Sequence, residues 1–159
     1  MKKLTLLLCF VSFLTKAQNI TVASGKSFTI EKTGSVTMSG NFSNAGTFTL
    51  NSDSDEFSSI IIGGSVTGNI TYNRYVNSVG ASEWDLIGTP VSGQSLEAFV
   101  TANESTLATN GDYFAIGYYS NWNNTWTNYT SADFTGDWGP LIFPLGQGYQ
   151  MGTIANGTG

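Results

Sequence analysis

The chain has 159 residues, with 6 Lys and Arg against 11 Asp and Glu, no His and a single Cys. The absence of His removes the commonest general base, the Ser-His-Asp triad and nearly all transition-metal sites. The acidic excess makes nucleic acid and anionic membranes unsuitable partners. With 19 Gly and only 3 Pro, the composition is typical of many short strands joined by turns.

The N-terminus has the order of charged, apolar and small residues that characterises a secretory signal. Two lysines precede an apolar run from Leu4 to Leu14, and Thr15 and Ala17 stand where signal peptidase requires small side chains. The run is too short for a transmembrane helix, which takes about 20 apolar residues. We therefore predict a signal peptide over residues 1–17 and a protein that is secreted or lies on the outer cell surface.

Lipid attachment at Cys9 is a rival interpretation of this leader. It requires a small residue immediately before the cysteine, whereas Leu8 stands there and the apolar run continues beyond it. Cleavage after Ala17 leaves no Cys, and therefore no disulfides. Three basic residues then remain against eleven acidic ones, a net formal charge of −8. We expect no membrane insertion after signal removal.

Residues 18–78 contain a loosely repeated triplet in which a threonine separates two apolar residues. The triplets begin at Ile20, Phe28, Val36, Phe48 and Ile70. Each predicts a short strand with one apolar face, and the glycines between them predict turns. Strands spaced in this way fit either a β-solenoid or an antiparallel meander, and we favour the solenoid.

An acidic segment interrupts the repeat. Asp53, Asp55 and Glu56 are weak calcium candidates, because alternating carboxylates can hold that ion, but the glycine and distant glutamate of an EF-hand loop are missing. A solvated turn is the favoured interpretation. The following run, Phe57 to Ile62, predicts a strand that is buried on both faces.

Residues 79–159 are rich in aromatics and predict a partial, jelly-roll-like β-sandwich. The predicted strands are Trp84–Val91, Asp112–Tyr119, Trp122–Tyr129 and Gly148–Ile154. Ser95 to Val100 predicts the only helix, capped by Ser95, and Trp122 to Trp126 predicts a tight hairpin. The sequence stops at a predicted turn, which favours a truncated domain in the N-terminal part of a longer protein. The predicted fold class is all-β throughout.

Several segments resemble large secreted surface proteins of the Bacteroidetes. The segments are Thr15–Gln18, the Gly/Thr-rich repeats, Gly68–Val76, Trp84–Val91 and Pro144–Tyr149, so that the resemblance covers nearly the whole chain. It implies export by type IX secretion and an adhesin-like role. That family carries a C-terminal sorting domain, which this sequence lacks, and it implies no catalytic residues here.

Three functions are compatible with these patterns. The first is a structural or adhesive module without cofactors, whose partners are surface glycans or other extracellular proteins. The second is a carbohydrate-binding module attached to a secreted enzyme. Its aromatic candidates, which a sandwich core equally needs, are Trp122, Trp126, Tyr129 and Trp138.

The third function is a glycosidase that uses two carboxylates. Its candidates are Asp85, Glu97, Asp112, Asp133 and Asp137. No spacing or neighbouring motif distinguishes any pair of them. We therefore predict that the chain is not an enzyme and favour the adhesive module.

Overall fold

The structure is a computed structural model that describes residues 19–81, 84–89, 91–137, 139–155 and 157–158. Within these ranges the protein is all-β, as predicted, with short strands and one α-helix. The predicted signal peptide lies outside the described residues. The strands fall into two groups that pair in different ways.

The first group of strands stacks in parallel columns. In chain order it comprises β1 (Ile20–Val22), β2 (Ser27–Ile30), β3 (Ser35–Met38), β4 (Phe42–Asn44), β5 (Thr47–Asn51), β6 (Ser59–Ile62), β7 (Val66–Thr67) and β8 (Thr71–Asn73). The next strand, β9 (Tyr75–Val76), lies outside these columns. The columns are β1-β4-β7, β2-β5-β8 and β3-β6. Ile20 pairs with Phe42, and Phe42 with Val66, so the chain returns to the same column after 22 and then 24 residues. Strands of a meander would pair antiparallel instead. Because the chain winds so that each turn stacks on the one before, we call residues 20–73 the coil region; the name does not refer to irregular backbone.

The interior of the coil region is filled by apolar side chains, which alternate along each strand with outward-facing residues. Its buried members are Val22, Ile30, Met38, Phe42, Phe48 and Leu50. The Phe48 ring stacks on Phe28 at 5.3 Å and meets Phe42 edge-on at 4.8 Å. Thr29, Thr49 and Thr71 pair in register on the outer side. The triplets therefore place threonine outward and apolar residues inward.

Polar side chains join successive turns of the coil region. Asn73 donates from Nδ2 to Oδ1 of Asn51 at 3.0 Å, and the Ser59 and Ser35 hydroxyls are 2.9 Å apart. At the turn before β8, Gly68 has φ of 90°, and a Cβ there would collide with the Asn44 carbonyl oxygen. Stacking of this kind explains the abundance of Asn, Ser and Gly.

The outer face of β6 is exposed, whereas the sequence analysis predicts that both faces of this strand are buried. Ile61 is 61% exposed, while Ile60 and Ile62 pack against the interior of the coil region. The predicted burial on both faces is therefore wrong. Each strand of the coil region has only one face toward the core, so three consecutive isoleucines do not place all three side chains inside.

The strands of the second group pair antiparallel, most of them in one main sheet. The group comprises β10 (Asp85–Gly88), β11 (Thr109–Asn110), β12 (Tyr113–Ser120), β13 (Thr125–Thr130), β14 (Thr135–Gly136), β15 (Gly139–Pro140), β16 (Gly148–Met151) and β17 (Gly157–Thr158). Its main sheet has the order β10-β16-β12-β11, and β13 also pairs with β12. Gly117 pairs with both Gln150 and Asn128, so β12 lies between β16 and β13.

The predicted hairpin and helix are both present. The turn between β12 and β13 contains Asn124, whose φ of 54° is the left-handed conformation that Asn tolerates. The helix α1 spans Leu96–Ala102, and the Ser95 hydroxyl accepts a hydrogen bond from the Ala98 amide. Local capping and turn chemistry are thus sufficient to locate both elements.

One face of the main sheet packs against α1 and the segment around Phe143. This core contains Val76, Leu96, Val100, Leu107, Ile116, Tyr129, Phe143, Tyr149 and Met151. Phe143 meets Phe99 of α1 and Tyr149 of β16, both edge-on. Among the described residues this layer is a helix and a loop, so the jelly-roll-like sandwich stays a prediction.

The two regions meet at β9. This strand pairs antiparallel with β17, and Val76 packs into the core of the second region. The Thr153 hydroxyl lies 3.1 Å from the carbonyl oxygens of both Val76 and Asn77. The last apolar side chain packed in the coil region is that of Tyr72. The change from the first core to the second therefore falls between Tyr72 and Val76, and the domain boundary at residue 78 stays a prediction.

Candidate functional site

The main sheet leaves its second face open, opposite to the core of the second region. One row of paired residues crosses four strands on this face: Leu86, Gln150, Gly117 and Asn128. Alternation places their neighbours Ile87, Tyr149 and Ile116 on the core face. Within this row Leu86 is exposed, Gln150 and Asn128 are partly exposed, and Gly117 is buried.

A groove of about 650 Å³ lies on this open face. Three large aromatic side chains line it and keep substantial exposure: Trp84 at 40%, Tyr113 at 56% and Trp126 at 39%. Trp84 directly precedes β10 and Trp126 lies on β13, three inter-strand spacings of about 4.8 Å away. The rings therefore flank a trough that runs across the sheet.

Small residues on the floor of the groove leave space above the sheet. Ala115 and Ala108 line it. The neighbouring Gly152 leaves space for other side chains, since a Cβ there would collide with Val79 and would lie 3.7 Å from the Trp84 ring. Without that side chain, Trp84 and Val79 can lie close to the sheet.

A pair of side-chain amides bridges the floor. Gln150 donates from Nε2 to Oδ1 of Asn128 at 2.5 Å, across the intervening strand β12. Gly117 lies beneath this bond, and a Cβ at that position would be 2.6 Å from the Asn128 oxygen. The same Cβ would collide with the Thr127 carbonyl oxygen, so glycine at residue 117 allows both the close approach of β13 to β12 and the contact between the two amides.

The orientation of Trp126 is set by its cross-strand partner. Tyr119 pairs directly with Trp126, and their rings meet at 69° with centroids 5.3 Å apart. Edge-to-face pairs of this type contribute about 0.5–1.5 kcal/mol beyond their buried area. Tyr119 therefore restrains the ring without covering its exposed face.

The structure separates the four aromatic residues that were predicted to bind sugar. Trp126 lines the groove, whereas Trp122 is 97% exposed in the turn before it. Tyr129 is buried on the core face, against Tyr118 and Tyr149. Burial is the main cause that raises the pKa of the Tyr129 phenol. Trp138 lies outside the described residues.

Sequence reasoning missed three residues of the groove: Trp84, Tyr113 and Gln150. The alternation of β13 places Trp126 and Asn128 on one face of the sheet and Tyr129 on the other, so it was sufficient to remove Tyr129 from the aromatic candidates. The remaining members come together only through pairing between strands distant in sequence.

The carboxylates considered for glycosidase chemistry do not meet in the groove. Asp85 accepts hydrogen bonds from the Asn77 amide groups, and Asp133 accepts from the backbone and hydroxyl of Thr130. Glu97 is in the first turn of α1. Asp133 alone of the five lines a second cavity of about 520 Å³, on the core side of the sheet.

The acidic turn is held by a lysine. Lys32 donates from Nζ to Asp53 and lies 3.9 Å from a Glu56 oxygen, while Asp53 also accepts from the backbone amides of Asp55 and Glu56. In the part of the chain that the structure describes, no group of three His, Cys, Asp or Glu is placed to hold a metal. The calcium candidates thus receive no support from the geometry.

Comparisons with known proteins leave the groove unassigned. Neither a protein-family model, nor a curated protein, nor a solved structure matches the chain. None of the helices among the described residues is both long and apolar enough to cross a bilayer. The groove itself is therefore the basis for assigning a function.

Proposed function

We propose that the chain is a non-catalytic extracellular adhesion module that binds carbohydrate in the groove. The observation that carries this proposal is the set of exposed rings of Trp84, Tyr113 and Trp126 around the Asn128–Gln150 amide pair. The coil region serves as its structural stem. The leader over residues 1–17 directs export, and the type IX route belongs to the same proposal.

Saccharides combine two kinds of surface, and the groove offers a partner for each. The C–H faces of a sugar ring are apolar and pack on flat aromatic rings, which have an apolar body and few rotamers. The hydroxyls both donate and accept hydrogen bonds, as side-chain amides do. Asn110 and Thr109 add further polar groups to the groove lining.

The lining of the groove favours binding over catalysis. None of the described residues that line it is Asp, Glu, Lys or Arg, and the chain has no His. Glycoside hydrolysis uses two facing carboxyl groups in most families. A sugar seated between the aromatic rings would therefore be held without a general acid or nucleophile beside it.

The proposal is tested by affinity electrophoresis of the purified protein in gels that contain different soluble polysaccharides. We expect retardation by at least one polysaccharide, and its loss in Trp84→Ala and in Trp126→Ala. Trp122→Ala is the matched control, because that side chain is almost fully exposed outside the groove. Circular dichroism spectra and urea midpoints establish that each variant is folded.

Two results would contradict this assignment. If no polysaccharide, and no glycan on an array, retains the protein, then carbohydrate binding is wrong. If Trp122→Ala weakens retention as much as Trp126→Ala does, then the binding surface is the hairpin tip and not the groove.

A further inference from the structure

The charges of the chain are divided unevenly between its two regions. Arg74 is the last basic residue, and residues 75–159 contain seven acidic residues and no Lys or Arg, a net formal charge of −7. The cations of the described residues lie in the coil region or directly after it; among them, Lys32 pairs with Asp53, and Arg74 lies 3.9 Å over the Phe57 ring. The sheet that carries the groove therefore has no cation of its own.

An anionic ligand would find no compensation in the groove. A carboxylate or sulfate that leaves water needs a paired cation or several hydrogen-bond donors to offset its desolvation. The described lining supplies no Lys or Arg. The surrounding acidic residues would also repel the anion at distances within a Debye length. The field around the sheet thus acts against acidic glycans.

The lining likewise gives no ion pair to a cationic ligand. Its three rings attract cations through their faces, but no described lining residue is a carboxylate that could replace the lost hydration of an ammonium group. The groove is therefore uncharged within a region that is acidic. Ligand contacts must come from ring faces, hydroxyls and amides.

The amide pair suits hydroxyl groups in particular. The bond between Gln150 and Asn128 uses one N–H and one acceptor position. The second Gln150 N–H, the Asn128 N–H groups and the Gln150 carbonyl oxygen are not used by this bond. Hydrogen-bond donors and an acceptor are therefore next to each other. A hydroxyl can use both, because it donates and accepts. A carboxylate only accepts.

We infer that the groove selects an uncharged glycan over acidic glycans, with Gln150 and Asn128 as the residues that determine this selectivity. This inference rests on the proposed carbohydrate-binding function and assigns its substrate class. The determinant is local, since it depends on the charge state of the groove floor and not only on the net charge of the molecule.

The test compares two series of polysaccharides in affinity gels. They are neutral (glucan, mannan, xylan) and acidic (polygalacturonate, alginate, hyaluronan). We expect the protein to bind at least one neutral polymer about tenfold more tightly than any acidic one. An acidic polymer as the tightest ligand overturns the selectivity but leaves carbohydrate binding intact. Retention by no polymer refutes both proposals.

A charge placed on the floor should change the selectivity. Gln150→Lys is expected to gain about fivefold or more in affinity for acidic polymers, and this gain should decrease with added salt. Gln147→Lys is the matched control, because it makes the same change of net charge at an exposed residue outside the groove. Equal gains in both variants would show that net charge decides selectivity, and would overturn the role of the groove floor.

Discussion

Gln150 and Asn128 are joined by a side-chain hydrogen bond of 2.5 Å that passes over β12, with Gly117 directly beneath it. The three residues belong to three adjacent strands of the main sheet. The bond therefore depends on the absence of a side chain in the middle strand. This arrangement connects a single glycine to the geometry of the proposed ligand site.

Gly117→Ala should destabilise the protein and weaken ligand binding together. Its Cβ would lie 2.6 Å from the Asn128 oxygen and 2.9 Å from the Asn128 Cα, so the strands must shift or the amide must move. Overpacking of this kind costs about 1–3 kcal/mol of unfolding free energy. Urea denaturation and affinity electrophoresis measure the two effects.

Gly88→Ala provides the control for this substitution. Gly88 lies on β10 of the same sheet, and a Cβ there meets no atom within 4 Å. This variant should retain the stability and binding of the unmodified protein. Comparable losses in the two variants would show that strand glycine is needed for some reason other than the amide pair.

Phe48→Ala should strongly destabilise the coil region. Phe48 is 1% exposed between the rings of Phe28 and Phe42, so its removal leaves a cavity in the only core of that region. Replacing a buried Phe with Ala typically lowers the free energy of unfolding by about 3–5 kcal/mol. Phe28→Ala should cost less, because Phe28 is already 40% exposed. Urea titration by far-ultraviolet circular dichroism compares them, and equal costs would contradict the described packing.

The sequence was most informative where structure is local. The apolar-threonine-apolar triplets located most strands of the coil region, and Ser95 and Asn124 located the helix start and the hairpin. β4 has one apolar residue, Phe42, and β7 has only two residues, so neither contains the triplet. The parallel pairing of the columns depends on contacts between residues 20 to 24 apart, which alternation alone does not encode.

The candidate site was less predictable because it is assembled across strands. Residue type alone grouped Tyr129 with Trp126, although they are three residues apart and face opposite sides of the sheet. Asn128 and Gln150 are 22 residues apart, and only the register of β12, β13 and β16 brings them together. Aromatic content thus indicated the kind of surface, but not its location.

Asp53 should make the coil region sensitive to acid. The hydrogen bond from Lys32, followed by those from the Asp55 and Glu56 amides, lowers the pKa of Asp53 from 3.8 to about 2. A lowered pKa means that the carboxylate stabilises the folded state fully above pH 3.8. This contribution is lost as the pH falls through about 2.

Asp53→Asn should therefore reduce the unfolding free energy at neutral pH and flatten its decrease below pH 3.8. Thermal or urea midpoints measured from neutral pH down to pH 2 check the expectation. Asp55→Asn is a control with the same change in charge, since Asp55 accepts its side-chain bond from Ser54 and none from Lys32. Parallel pH profiles for the unmodified protein and Asp53→Asn would exclude the lysine pair as the cause.

Thr153→Val should uncouple the two regions of the chain. The Thr153 hydroxyl is buried within 2.8–3.1 Å of the carbonyl oxygens of Val76, Asn77 and Ala155, where the coil region enters the second core. Valine keeps the shape of the side chain but removes the hydrogen-bond donor to these carbonyl oxygens. The free energy of unfolding should therefore decrease by about 1–3 kcal/mol. Thr153→Ser retains the hydroxyl and should lose less stability.

Two spectroscopic probes distinguish uncoupling from a general loss of stability. All four Trp residues follow residue 83, so Trp fluorescence reports on the second region, whereas circular dichroism reports on both. In the unmodified protein we expect the two urea transitions to coincide, as in two-state unfolding. In Thr153→Val they should separate, because the junction at Val76 no longer holds the regions together. Coincident transitions in the variant would show that the two regions still unfold together, and that this hydroxyl is not what couples them.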